Sequence, residues 1–381
     1  MQGRVKVGLA ALGLALLGAT LAIGGHGSGK SRVVASRPQT VQGPGVWALT
    51  VVAADGQPIT GWRTVDAGLA GSNPPRWVVG EAGAGQVKVE VSQPVSPVWR
   101  TLVEVIGRER GAQAVRWQLH GERYQPAVRP RITTTVDARL SQDLAQVLPP
   151  GGQAVVVGAD GSVLAAVGNP RGQGVAWQPF PAGTALMPPL MAMALGQPGL
   201  WPNNLPLGGW RAIGALATRW GGQGIWNALQ RLGVGREVLA GAPVAPPPLP
   251  APSPALLSRP GLIWVTGLEL ARAYLPFIDN GAAPPLHVIV GEGGQAAPVG
   301  DGKNFQSVAA LLPKLTTPSV AFRVWRWQAA SPGGANVAVL FSDHPAVVAV
   351  FAGNHLPLDR LGQRLGAWAS RVTPFKSSPG R

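Results

Sequence analysis

Three apolar runs at residues 320–328, 336–341 and 346–352 follow one another closely, and the last two are joined only through Asp343-His344-Pro345. A parallel return needs a crossover of a dozen or more residues, so runs this close pair antiparallel. Residues 154–157 and 163–167 add a second hairpin through Ala159-Asp160-Gly161, whose Asp-Gly favours a tight turn of positive φ. Helical patterns flank these strands. Residues 139–148, after a strand at 132–136, place Leu140, Leu144, Val147 and Leu148 on one face. Residues 210–219 and 225–232 read as helices broken at Gly221-Gly222, residues 268–280 as a helix closed by Gly281, and residues 359–372 as a final helix. The implied fold is α/β of the α+β kind: a five-stranded antiparallel sheet sandwiched by helices.

The preceding stretch is organised differently. Short alternating runs at 46–52, 76–79 and 87–91, punctuated by Asp55-Gly56, Pro74-Pro75 and Pro94, describe a small β-rich module with one helical stretch at 98–111. Arg129-Pro130 and the change of pattern after it set a boundary near 130. The expected domains are therefore 1–38 (tip, anchor and spacer), 39–130 (β-rich module), 131–375 (main domain) and 376–381 (tail). Between residues 243 and 260 lie eight of the 38 prolines, which makes that segment an extended, backbone-solvated loop.

From Val7 to Gly25 runs an uncharged segment of 19 residues rich in Leu, long enough to cross a bilayer as one helix. Arg4 and Lys6 before it favour a cytoplasmic N-terminus, although Lys30 and Arg32 follow closely. A cleaved signal peptide is the competing reading, but the small-residue cleavage site is not clear, and an uncleaved single-pass anchor is preferred. Either way the main domain lies outside the cytoplasm. Residues 24–31, Gly-Gly-His-Gly-Ser-Gly-Lys-Ser, match the phosphate-cradling pattern G-x-x-x-x-G-K-[ST]. That chemistry needs a strand before the loop and a helix after it. Here a bilayer-length run precedes it and Pro38 follows within a turn or so, so a juxtamembrane spacer is the simpler reading.

The chain carries 32 Lys and Arg against 17 Asp and Glu, a net charge of +15, so its partners are anionic in kind. The bases are dispersed without a long run, which argues against nucleic acid. There is no Cys, hence no disulfide, thiolate metal site or thiol nucleophile, and five unclustered His offer little for a transition metal; no cofactor is expected.

Several separate stretches carry a resemblance. Thr134-Thr135-Val136-Asp137-Ala138-Arg139-Leu140 is followed by the hairpin at 154–167 and Asn169-Pro170, then by Phe180-Pro181-Ala182-Gly183-Thr184-Ala185-Leu186-Met187-Pro188. After these come Val265-Thr266-Gly267-Leu268-Glu269-Leu270-Ala271-Arg272-Ala273-Tyr274 and Asn280-Gly281, the most specific single match. In this order they resemble the transpeptidase domain of penicillin-binding proteins, which shares its fold with the serine β-lactamases; the likeness covers residues 133–354. It implies acyl transfer on peptidoglycan stem peptides by a Ser nucleophile with a Lys one helical turn later, on the same helix face.

The chemistry-bearing residues depart from that pattern. The nucleophile position holds Thr184 and the base position Met187, whose thioether cannot accept the proton. The second motif, S-x-N, falls at Thr218-Arg219-Trp220 or the glycines just after, and neither reproduces it. The third, K-[ST]-G, falls on the run 320–328, where Phe322-Arg323-Val324-Trp325-Arg326-Trp327 stands instead; Arg323 or Arg326 remains able to attract a carboxylate. No S-x-x-K, S-x-N or K-[ST]-G occurs anywhere in the chain.

Three functional classes follow from the resemblance. The first is a membrane-anchored, catalytically inactive homologue acting in cell-wall assembly as scaffold or wall-binding module, with peptidoglycan, its stem peptides and other wall-synthesis proteins as partners. The second is a divergent acyl-transfer enzyme using Thr184, with His287 or His344 as base. The third, pure polysaccharide or partner binding, draws on 14 Trp, of which Trp201, Trp210 and Trp220 lie near expected loops.

Overall fold

The computed structural model describes residues 49–66, 88–110, 117–120, 123–169, 177–197, 210–240, 242, 245–253, 256, 263–318, 320–328 and 336–372. The expected membrane segment from Val7 to Gly25, the phosphate-loop pattern at 24–31, the run at 76–79 and Trp201 lie outside them. Among the described residues no helix is long and apolar enough to cross a membrane.

The first part comprises β1 (Thr50–Val52), β2 (Thr60–Asp66), β3 (Lys88–Pro94), helix α1 (Arg100–Arg110), β4 (Trp117–His120) and β5 (Arg123–Pro126). Strands β2 to β5 form a four-stranded sheet in the order β2-β3-β5-β4. β1 stands apart and pairs in parallel with β6 (Arg131–Thr133), Thr50 opposite Arg131. The chain on either side of residue 130 is thus joined by a ladder, and Val51, Trp99, Leu102 and Ile106 belong to the same apolar core as the main sheet.

Helix α2 (Ala138–Val147) leads to β7 (Gln153–Gly158) and β8 (Val163–Gly168), then β9 (Phe180–Pro181), a 3-10 turn at Gly183–Leu186 and helix α3 (Met187–Leu195). Helix α4 (Trp210–Arg231) is interrupted at Gly221, whose φ of 70° and ψ of 165° are not helical. There follow β10 (Trp264–Val265), α5 (Gly267–Tyr274), β11 (Ala282–Ala283), β12 (Ala297–Pro298), α6 (Gly302–Leu311), β13 (Lys314–Thr316), β14 (Ala321–Gln328), β15 (Asn336–Asp343), β16 (Ala346–Gly353) and α7 (Leu358–Val372).

The main sheet has the order β13-β14-β15-β16-β7-β8, every neighbouring pair antiparallel. It has six strands rather than the five expected. The added strand is β13, three residues paired at the edge with Ala321–Arg323. Successive side chains of a strand point to opposite faces, and here both faces are covered. Val155, Val157, Val339 and Val350 join the core shared with α3 and α5, while Ala154, Val156, Leu340 and Phe351 join Leu140, Leu144, Leu361 and Leu365 beneath α2 and α7. That two-sided burial is why the strands read as continuous apolar runs rather than alternating ones. The Asp137 side chain fixes the second layer: it caps α2 by accepting from Leu140 N at 2.8 Å and accepts from Trp368 Nε1 of α7 at 2.9 Å.

Candidate functional site

The turn that carries Thr184 is held from two sides. The hydroxyl of Tyr274, at the end of α5, donates to the Ala185 carbonyl at 2.7 Å. Tyr274 is fully buried, and the loss of water around it pushes its pKa well above the ordinary phenol value, so it acts as a neutral donor. From the sheet, the indole Nε1 of Trp325 on β14 donates to the carbonyl of Thr184 itself at 3.0 Å. The sequence placed the third motif on this strand, and the structure brings that strand beside the turn.

Trp325 decides what the space between them can hold. It is half-buried and packs against the core that also contains Ala185, Leu186 and Met187. The indole therefore occupies the interval between β14 and the Thr184 turn with a large apolar body fixed by one hydrogen bond. Met187 begins α3 with only 3% of its surface exposed, among apolar neighbours where an ammonium would be costly. Three concavities stand out among the described residues, and neither Thr184 nor Met187 lines any of them.

The two arginines nominated for carboxylate binding lie on opposite faces of β14, being three residues apart on a strand. Arg323 shares the face of Trp325 and donates from Nη1 to the Leu312 carbonyl at 3.3 Å, whereas Arg326 is exposed on the other face. At the second-motif position, Trp220 is half-buried against the core. The break after it brings the proline-rich loop up against backbone: a Cβ on Gly222 would fall 2.5 Å from Ser253 N. Glycine here admits the loop rather than presenting a hydroxyl and an amide.

Neither histidine proposed as a base is brought to Thr184. His287 bridges to Ser162 beside β8, four ladder spacings across the sheet from β14, or roughly 19 Å at about 4.8 Å per strand. His344 lies in the β15–β16 turn, five residues beyond the Val339 that pairs with Trp325, so about 16 Å along the strand. Sequence reasoning had noted bulk on β14 but not the role of Trp325, since facing depends on a register fixed by distant residues. It also passed over Trp264, 49% exposed and paired with Pro181 in the ribbon that leads into the Thr184 turn.

No family model matches the chain, and no curated protein matches it either. Solved structures do. The chain superposes on the D,D-transpeptidase domain of a peptidoglycan glycosyltransferase from Eggerthella lenta with a TM-score of 0.58, covering 87% of this chain and 100% of that one at 12% identity. It superposes on penicillin-binding protein 3 from Mycobacterium tuberculosis, solved in complex with aztreonam, with a TM-score of 0.56, covering 85% and 95% at 14% identity. The fold is that of a penicillin-binding-protein transpeptidase domain. Within that transpeptidase fold β14 lies beside the turn that leads into α3, and the side chains there are Thr184, a buried Met187 and a half-buried Trp325.

Proposed function

We propose that this chain is a catalytically silent member of the D,D-transpeptidase fold that serves peptidoglycan assembly as a scaffold or wall-binding module. In this reading the segment from Val7 to Gly25 anchors it in the membrane, the main domain lies outside the cytoplasm, and its contacts are peptidoglycan, stem peptides and other wall-synthesis proteins. The observation that carries the reading is Thr184 followed one turn later by a buried Met187. A hydroxyl becomes an effective nucleophile when a neighbouring base takes its proton, and here the neighbour is a thioether in an apolar pocket. The Trp325 indole, bonded to the Thr184 carbonyl, supports the same conclusion, because a bulky side chain stands beside Thr184 where the family pattern has a small Thr-Gly pair. The substrate class comes by analogy from the two structural neighbours, one described as a D,D-transpeptidase domain and the other bound to aztreonam.

Incubating the full chain with a fluorescent penicillin, alongside an active penicillin-binding protein as positive control, tests this directly. The expected outcome is a labelled control and an unlabelled chain. A covalent label that disappears in Thr184→Ala would replace the silent reading with acyl transfer at Thr184.

A further inference from the structure

A concavity of about 610 Å³ opens at the far end of the sheet, between the β7–β8 turn and the loop that follows β11. Its walls are backbone held at close approach. A Cβ on Gly161, whose φ is +84°, would fall 2.3 Å from the Pro285 carbonyl, and one on Gly294 would fall 2.5 Å from the Pro285 ring. Gly293 lies against the His287 ring, where a Cβ would come within 3.2 Å of Cε1. His287 is itself locked: its N–H donates to Gly161 O at 3.0 Å, and its carbonyl accepts from Val163 N at 2.9 Å.

Three polar side chains that line this cavity keep hydrogen-bonding capacity unused. The His287 side chain is 9% exposed, and its Nδ1 is buried with no hydrogen bond. Asp160 uses only Oδ1 internally, accepting from Ser162 N at 3.0 Å and Ser162 Oγ at 2.6 Å. Asp279, half-buried, has neither a hydrogen bond nor an ion pair to its carboxylate among the described residues, and burial raises its pKa. No Lys or Arg lines the cavity, although the chain has 32 bases against 17 acids. Two carboxylates left unneutralised in so basic a chain face one opening. The missing complement is a positive donor from outside. A shared metal ion is not favoured by the arrangement, since among the described residues no three His, Asp or Glu come together to hold one.

We propose that this cavity is a binding site for an organic ammonium group, gripped by Asp160 and Asp279 with the His287 imidazole as its floor. The ammonium has two possible sources, a lysine-type side chain or a peptide N-terminus. It is independent of the Thr184 region, which lies across the sheet.

The test is an NMR titration of the full chain that follows the His287 imidazole, assigned by the loss of its signal in His287→Gln. The probes are N-acetyl-lysine amide, glycinamide and the uncharged N-acetyl-norleucine amide. The expected result is a saturable shift with one or both ammonium probes and none with norleucine; the tighter of the two identifies the source. Affinity should fall at least about tenfold in the Asp160→Asn, Asp279→Asn double variant, as losing a charged hydrogen-bond partner implies. Asn at 160 can still accept from Ser162, so the turn survives. No saturable shift with either ammonium, an equal shift with norleucine, or undiminished affinity in the double variant would overturn the assignment. Should the double variant fail to fold, the charged-against-neutral comparison on the parent chain decides alone.

Discussion

Glu269 lies in the first turn of α5 with 1% of its surface exposed, and three donors converge on its carboxylate. Oε1 accepts from Gly235 N at 2.7 Å, and Oε2 accepts from Thr266 N at 2.7 Å and Thr266 Oγ1 at 2.9 Å, while Thr266 Oγ1 accepts in return from Glu269 N. One side chain thus closes the capping box of α5 and ties down the loop after α4. Glu269→Ala strands buried donors on both, and should cost about 3 kcal/mol or more in urea unfolding. The pH dependence has a definite sign. Burial raises the Glu269 pKa above its ordinary 4.5, outweighing the lowering pull of the bonds to Thr266 and Gly235. A carboxyl that holds its proton more tightly when folded contributes stability that is full below the unfolded pKa and declines as pH rises through the folded one. Relative to Glu269→Gln, the parent chain should therefore lose stability as pH climbs above 4.5, and the gap should then level off. Urea midpoints of both chains across the acid range measure this; a gap that widens in the parent's favour contradicts it.

At the scale of elements, the Thr184 turn is gripped by α5 through Tyr274 and by β14 through Trp325. Trp325→Ala removes a half-buried indole and its hydrogen bond, and should cost about 2–4 kcal/mol, less than a fully buried Trp. It should also open the junction to solvent without creating reactivity. On the proposed reading, fluorescent penicillin is expected to leave the variant unlabelled, since Met187 still stands in the base position; labelling would mean that the indole, rather than Met187, blocks reaction at Thr184. These elements were unequally legible in the sequence. β7, β15 and β16 declared themselves because both faces are buried and the runs are wholly apolar. β13 did not: Lys314-Leu315-Thr316 is too short for a period, and it pairs only through the turn at Thr317 and Val320. α3 was silent for the opposite reason. Met-Pro-Pro-Leu-Met-Ala-Met-Ala-Leu is apolar all round, with prolines tolerated at the helix start, so no amphipathic stripe marked it. The separation of Arg323 from Arg326 follows from their spacing once the strand is recognised, whereas the placing of Asp160, Asp279 and His287 around one opening depends on long-range pairing.

For the molecule as a whole, charge is the property that most directly constrains the proposed wall binding. An ion pair cancels one charge of each sign, so pairing within the chain leaves its net +15 intact to act on an anionic polymer. Attraction of that kind is screened as the Debye length shrinks from about 8 Å at 0.15 M salt to about 3 Å at 1 M. Stacking of a sugar ring on the exposed face of Trp264 is not screened in this way. Co-sedimentation of the full chain with purified peptidoglycan should separate the two contributions. Retention is expected to fall steeply with salt to a residual level, and Trp264→Ala is expected to remove that residue while leaving the salt-sensitive part in place. Because Trp264 sits on the two-stranded ribbon with β9, the variant tests whether the ribbon entering the Thr184 turn meets the wall. Retention that ignores salt would mean the basic excess plays no part in wall contact, and a residual fraction indifferent to Trp264 would move the stacking surface elsewhere.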